Sequence, residues 1–215
     1  MNDNMSDKEQ IDMLKKWWTN YGKSILIAII VGLLLGYGWN YYRTHQATTR
    51  EQASLIYQKL LIADSKGDAK SSAQLVTQLT TDYAHTPYAS FAQLVLAKQA
   101  VNGNELIKAQ AALTWVMDNS NVAAFKEVAR LRSARILLSQ QKYTDALTLI
   151  ATLDDKAYES MSLQLKGDIL LAQDKQQEAL TAYQKASKLM DGVGFSDPVL
   201  AVKISSVGAK DADTK

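Results

Sequence analysis

Between Lys23 and Arg43 the chain runs for nineteen residues, Ser24 to Tyr42, without one charged side chain. A helix rises 1.5 Å per residue, so this stretch reaches about 28 Å, roughly the thickness of a hydrocarbon core. Its centre, SILIAIIVGLLLG, is apolar on every face, unlike the striped surface of a helix on a soluble core. Trp17, Trp18 and Tyr21 precede it, and Tyr37, Trp39, Tyr41 and Tyr42 close it, as aromatic belts do at the two membrane interfaces. A cleaved signal peptide fits less well, because the run ends in Gly-Trp-Asn-Tyr-Tyr-Arg with no small-residue cleavage site. Lys15, Lys16 and Lys23 lead the run, against Arg43 and the more distant Arg50 behind it, so the positive-inside rule predicts a cytoplasmic N-terminus and an exported body. Gly32 and Gly36 form a G-x-x-x-G pair, a candidate face for packing against another transmembrane helix; glycine is also common in membrane helices for other reasons.

The rest of the chain contains two Pro and few Gly, which permits long helices and starves a many-stranded sheet of turn residues. An all-α fold is expected, and the sequence repeats itself at the period of a helical hairpin. Gly167 and Ala179 lie twelve residues apart, as do Ala134 and Ala146, and Ala97 and Ala109. Small residues at this interval let two antiparallel helices approach closely, with Tyr183 and Ala186 completing the pattern of a tetratricopeptide repeat in the last unit. The units are offset by 37 and 33 residues, and they are degenerate: the consensus Trp is missing and Lys166 stands where Leu is usual. A looser hairpin, residues 50–66 and 69–83, precedes them, turning at Lys66-Gly67-Asp68, and Thr86-Pro87 reads as cap and first residue of the next helix. Further turns fall at Asn102-Gly103-Asn104, Gln141-Lys142 and Asp174-Lys175. Asp191-Gly192-Val193-Gly194 reads as a helix stop, since no strand precedes it as a phosphate loop would require. Leu200, Ile204 and Val207 then share one face of a short closing helix. The predicted organisation is a cytoplasmic segment 1–23, a transmembrane helix 24–42, a tetratricopeptide-like α-solenoid 43–207 and a polar, disordered end 208–215.

Catalytic chemistry finds little to work with. Zero Cys removes thiolate metal sites and thiol nucleophiles, and two His, His45 and His85, leave almost no imidazole for a metal. No nucleophile elbow, zinc motif, phosphate loop or calcium loop occurs, and Asp154-Asp155 reads as a solvated turn. A net charge of +2 offers no surplus for a nucleic-acid backbone. The expectation is a non-enzyme without cofactor or metal.

A solenoid of this kind offers a concave surface lined by the first helix of each hairpin. Counting from the aligned units, the inward positions are Phe91, Leu94, Lys98 and Val101; Val128, Leu131, Arg135 and Leu138; and Met161, Gln164, Asp168 and Leu171. Eight are apolar, with a single Lys and no Asn, so this reading favours apolar partners over a clamp for a carboxylate. Two readings stay open: the eight form a binding groove, or they are core between helices. In a sharper form of the second, the closing helix lies in the groove and hides it.

The residues also resemble those of a known family. Gly22-Lys23, Gly38-Trp39 through His45-Gln46, Ala53-Ser54-Leu55-Ile56-Tyr57-Gln58, Asn104-Glu105-Leu106 with Lys108-Ala109, Leu131 with Ala134-Arg135, and Leu200 with Lys203-Ile204 are similar to the YfgM family, the ancillary subunit of the SecYEG translocon in Gram-negative bacteria. The resemblance implies a single-pass inner-membrane protein with a periplasmic tetratricopeptide-like domain. Its implied partners are the translocon, a membrane-anchored periplasmic chaperone of the PpiD type and newly exported, unfolded proteins. It further implies a link to an envelope stress response, and it supplies no catalytic residues. The alternative is a structural scaffold of an envelope complex that binds no clients.

Overall fold

In the computed structural model, which describes residues 7–212 apart from Asp154 and Val193, all regular structure among the described residues is helical. The helices are α1 (Asp7–Ser65), α2 (Ala69–Asp82), α3 (Pro87–Asn102), α4 (Leu106–Asn119), α5 (Ala123–Ser139), α6 (Tyr143–Ala151), α7 (Glu159–Ala172), α8 (Gln176–Asp191) and α9 (Pro198–Ala212), with a 3-10 turn at Lys156–Tyr158. Two compact units divide the chain, Met1–Glu51 and Gln52–Lys215.

The first unit is the leading part of α1. Its apolar residues from Leu26 to Leu35 are exposed, and among the described residues α1 is the one helix long and apolar enough to cross a membrane. Trp17 packs its ring on Trp18 and Tyr21, and Tyr41 stacks on His45. The separate helix expected to open at residue 50 does not occur. Nothing between Gly38 and Gly67 is Gly or Pro, so no residue there breaks the helix, and α1 continues to Ser65.

In the second unit four apolar clusters follow one another, each sharing a helix with the next. Ala53, Ile56 and Leu60 of α1 meet Val76 and Leu79 of α2 and Ala92 of α3. Ala97 and Ala100 of α3 then pack with Ala109, Leu113 and Val116 of α4 and Ala129 and Ile136 of α5. Leu131 and Ala134 of α5 pack with Ala146 and Ile150 of α6 and Leu165 and Ile169 of α7. Leu170 of α7 joins Ala179, Ala182, Tyr183 and Ala186 of α8 and Leu200 and Val207 of α9. The small residues picked out at twelve-residue intervals, Ala97 with Ala109, Ala134 with Ala146, and Gly167 with Ala179, are all buried at the crossings of successive helices. This is the nearest-neighbour core of a solenoid.

The hairpin turns are built alike. Gly67, Asn104, Gln141 and Asp174 adopt left-handed backbone, with φ of 70°, 58°, 60° and 60°. After each, the next amide bonds back to the carbonyl five residues earlier: Asp68 to Ala63, Glu105 to Ala100, Lys142 to Leu137 and Lys175 to Leu170. Both features define the Schellman helix stop. Gly194, at φ 75°, ends α8 in the same manner, with the Phe195 amide on the Met190 carbonyl. Only Gly takes this conformation without cost; Gln and Asp give up about 1–2 kcal/mol, part of which glycine's own backbone entropy offsets. Gln141→Gly is therefore expected to raise the unfolding free energy by about 0.5–1 kcal/mol, measured as a shift of the urea midpoint. An unchanged or lower midpoint would contradict this.

The caps hold one surprise. Thr86 occupies the cap position before Pro87, yet its hydroxyl donates to the Tyr83 carbonyl at 2.8 Å instead of accepting from α3. Asp68 does cap α2, and its bonds from Ser71 hold its carboxyl below the usual carboxylate range. Asp155 caps the 3-10 turn through the Ala157 amide, while Asp154, the other half of the sequence pair, lies outside the described residues. Residues 208–212, expected to be disordered, continue α9, in which no proline follows Pro198; 213–215 lie outside the described residues.

Candidate protein-binding surface

The first helices of the hairpins are the trailing part of α1, α3, α5 and α7. Rings join the first three of them: Tyr57 of α1 packs on Tyr88 and Phe91 of α3, at 5.8 and 5.6 Å, and Phe91 packs on Phe125 of α5 at 4.7 Å. Aromatic pairs at these separations are well placed for tilted packing. Phe91 is thus spent on holding α3 to α5.

The other sequence-predicted positions divide in the same spirit. Leu131 is buried in the α5–α7 core, Leu138 packs against that core, Leu94 packs against the α3–α5 core, and Val128 is half-buried. Val101, Met161 and Leu171 remain exposed, at 44%, 45% and 36% of their surface. An eight-residue apolar groove is therefore not what the face presents. Spacing of three and four finds the helix face but cannot tell which of its residues a neighbouring helix covers.

What the face does present lies at the trailing ends of α3 and α5. A cleft of about 410 Å³ opens between α3, α4 and α5. Ala97, Val101, Leu106, Leu113 and Ile136 form its apolar lining. Lys98, Arg132 and Arg135 stand around it with Asn102, and no Asp or Glu contributes. Lys98 has a carboxylate 3.5 Å away, that of Asp64, but most of its side chain is exposed. Asp64 also accepts from the Gln99 amide at 2.8 Å, which ties it to α3. The sequence reading, with one Lys and no Asn among its inward positions, missed Arg132 and Asn102. Both stand one residue off the counted register, and both line the cleft.

The closing helix does not enter this cleft. Asp197 caps α9, accepting from the Val199 and Leu200 amides at 2.9 and 3.4 Å, and its other oxygen accepts from Gln164 of α7. Leu200 and Val207 are buried, and Ile204 partly so, against α8. None of the three lines the cleft. The sharper reading, in which this helix fills the groove, is corrected: α9 takes the place of the first helix of one more repeat and covers the end of the stack. A Lys203–Asp168 ion pair fastens it to α7, and the same carboxylate accepts from the Tyr183 hydroxyl at 2.7 Å. Two sequence-predicted inward residues are thereby accounted for, since Gln164 and Asp168 hold α9 in place.

Burial, then the bond to Asp168 and the charge of that carboxylate, raise the Tyr183 phenol above its usual value near 10. The folded state keeps a proton that the unfolded state gives up, so this contribution to stability is complete below pH 10 and is lost as the pH rises beyond it. Tyr183→Phe removes the ionisation, and its urea midpoint is expected to fall less steeply than that of the parent between about pH 9 and about pH 11. Parallel slopes would refute the coupling.

Gly32 and Gly36 sit on α1 with nothing among the described residues within 4 Å of where a Cβ would lie.

Repeated antiparallel hairpins with paired small residues at each crossing and a capping final helix define a tetratricopeptide-type helical solenoid. The family described as a tetratricopeptide repeat-like domain matches residues 15–209, and the chain belongs to it. Curated relatives named ancillary SecYEG translocon subunit include one from Aggregatibacter actinomycetemcomitans, 29% identical, with 86% of this chain and 90% of the relative covered. Another from Escherichia coli K12 is 28% identical over 85% of this chain and 88% of its own length. A third, from Neisseria gonorrhoeae, is 26% identical and covers 94% of this chain and 98% of the relative. The family resemblance read from the residues agrees with these relatives.

Proposed function

We propose that this protein is a membrane-tethered, non-catalytic interaction module at the SecYEG translocon, with its N-terminus in the cytoplasm, α1 as the anchor at residues 24–42 and its repeats in the periplasm. The observation that carries the reading is that relatives named for the translocon align along nearly the whole chain, anchor and repeats together. Three lysines before the apolar run support the orientation. The repeats contact a membrane-anchored chaperone of the PpiD type and, through it, newly exported proteins, with a link to envelope stress regulation. A face with three isolated exposed apolar residues and one cleft supports local recognition of a partner segment over general affinity for unfolded chains.

Purification of the full-length protein from membranes in mild detergent, followed by mass spectrometry, is expected to recover the translocon subunits and the chaperone; recovery of neither would reject the reading. Alkaline phosphatase fused after Lys215 is expected to be active. An inactive fusion, with a cytoplasm-only reporter active at the same place, would reverse the orientation.

A further inference from the structure

We infer that the cleft between α3, α4 and α5 receives a short partner segment in which a bulky aliphatic or aromatic side chain stands next to carboxylates. The inference rests on the interaction-module reading and names the chemistry of what the module holds. The cleft volume of about 410 Å³ suits one or two large side chains, and its lining of Val101, Leu106, Leu113 and Ile136 gains from covering them.

The charges say what flanks that side chain. Arg130, on the same helix, has its carboxylate partner in Glu127. Arg132 and Arg135 have no carboxylate within ion-pair distance among the described residues, and they stand three residues apart, a spacing at which like charges on a helix repel. Helix stability therefore does not explain them. Nor does a generally basic surface, because the net charge of the whole chain is only +2. Two guanidinium forks and the Lys98 ammonium around one apolar opening complement carboxylates, and guanidinium groups bind these with paired hydrogen bonds. The exposed side of Val101 places the mouth where an extended chain can pass over it.

The test uses the full-length protein in zwitterionic phosphatidylcholine nanodiscs and three fluorescein-labelled peptides read by anisotropy. One carries Leu-Phe followed by Asp-Glu-Glu, the second Leu-Phe followed by Asn-Gln-Gln, and the third Ser-Ser followed by Asp-Glu-Glu. The first is expected to bind about tenfold more tightly than either control, and more weakly as salt is raised. Arg132→Gln combined with Arg135→Gln is expected to lose about tenfold in affinity, and Val101→Glu to lose the first peptide as well. All three positions are exposed or open to the cleft mouth, and unchanged helical circular dichroism and melting confirm that the variants fold. Equal binding of the three peptides, or wild-type affinity in the folded double variant, would overturn the inference. The translocon subunits recovered with wild type and with the double variant separate the two claims: if wild type recovers them and yet does not prefer the acidic apolar peptide, the inference alone fails. If the peptide binds as expected and wild type recovers no translocon subunit, only the location assigned to the module fails.

Discussion

Gly167→Leu is expected to lower the unfolding free energy of the repeat unit by about 3 kcal/mol or more, the largest effect of any single substitution proposed for this chain. Gly167 lies where α7 crosses α8, and a Cβ built on it would overlap the Tyr183 ring. That ring cannot step aside cheaply. It is fully buried among Ala179, Ala182 and Ala186, and its hydroxyl is bonded to Asp168, the carboxylate that also pairs with Lys203 of α9. A side chain at position 167 therefore pushes apart the crossing, breaks a buried hydrogen bond and unseats the closing helix together. At about 2–4 °C per kcal/mol for a unit of this size, the melting midpoint should fall by roughly 6–12 °C. Gly167→Ala is the sharper check. Alanine gains about 1 kcal/mol of helix propensity over glycine, so an alanine variant that melts higher than the parent would show that the crossing is not close; one that melts lower would confirm that the missing Cβ is what the crossing requires.

Deletion of residues 197–215 is the second large effect. It removes the buried Leu200 and Val207 and the partly buried Ile204 from α8, and it takes away Lys203 from Asp168. Full burial of such side chains is worth about 1.5–3 kcal/mol each, from which the cost of ordering a helix is subtracted, leaving a net loss of a few kcal/mol. The apolar flank of Tyr183 and Met190 is then exposed, so binding of a hydrophobic dye should rise while the urea midpoint falls. Binding at the cleft should stay as it was, because the cleft is lined by α3, α4 and α5 and α9 supplies nothing to it. A deletion that leaves the midpoint and dye binding unchanged would mean that α9 does not close the stack. Because α9 does not line the cleft, it does not compete with a partner there.

Much of this architecture was legible in the chain because it is written in local terms. The uncharged run from Ser24 to Tyr42, the small residues at twelve-residue intervals and the turns at Gly67, Asn104, Gln141 and Asp174 all act through neighbours a few residues away, by helix rise, close approach and left-handed stops. Periodicity of three and four also found the face that the first helices share. It could not find which residues on that face are free. Leu131 and Val101 satisfy the same spacing, and one is buried by α7 while the other borders an open cleft, since cover comes from a helix distant in sequence. The cationic rim escaped for a related reason: Arg132 and Arg135 come round one opening with Lys98 only when packing sets α5 against α3 and α4. Likewise Leu200, Ile204 and Val207 announced an amphipathic helix, but its seat was decided by what remained uncovered on α8 and by the reach of Lys203 to Asp168. Secondary structure and repeat register were thus determined by short-range sterics and hydrogen bonding, which the sequence carries by itself. The binding face was decided by packing between elements far apart in the chain, which only the tertiary structure brings together.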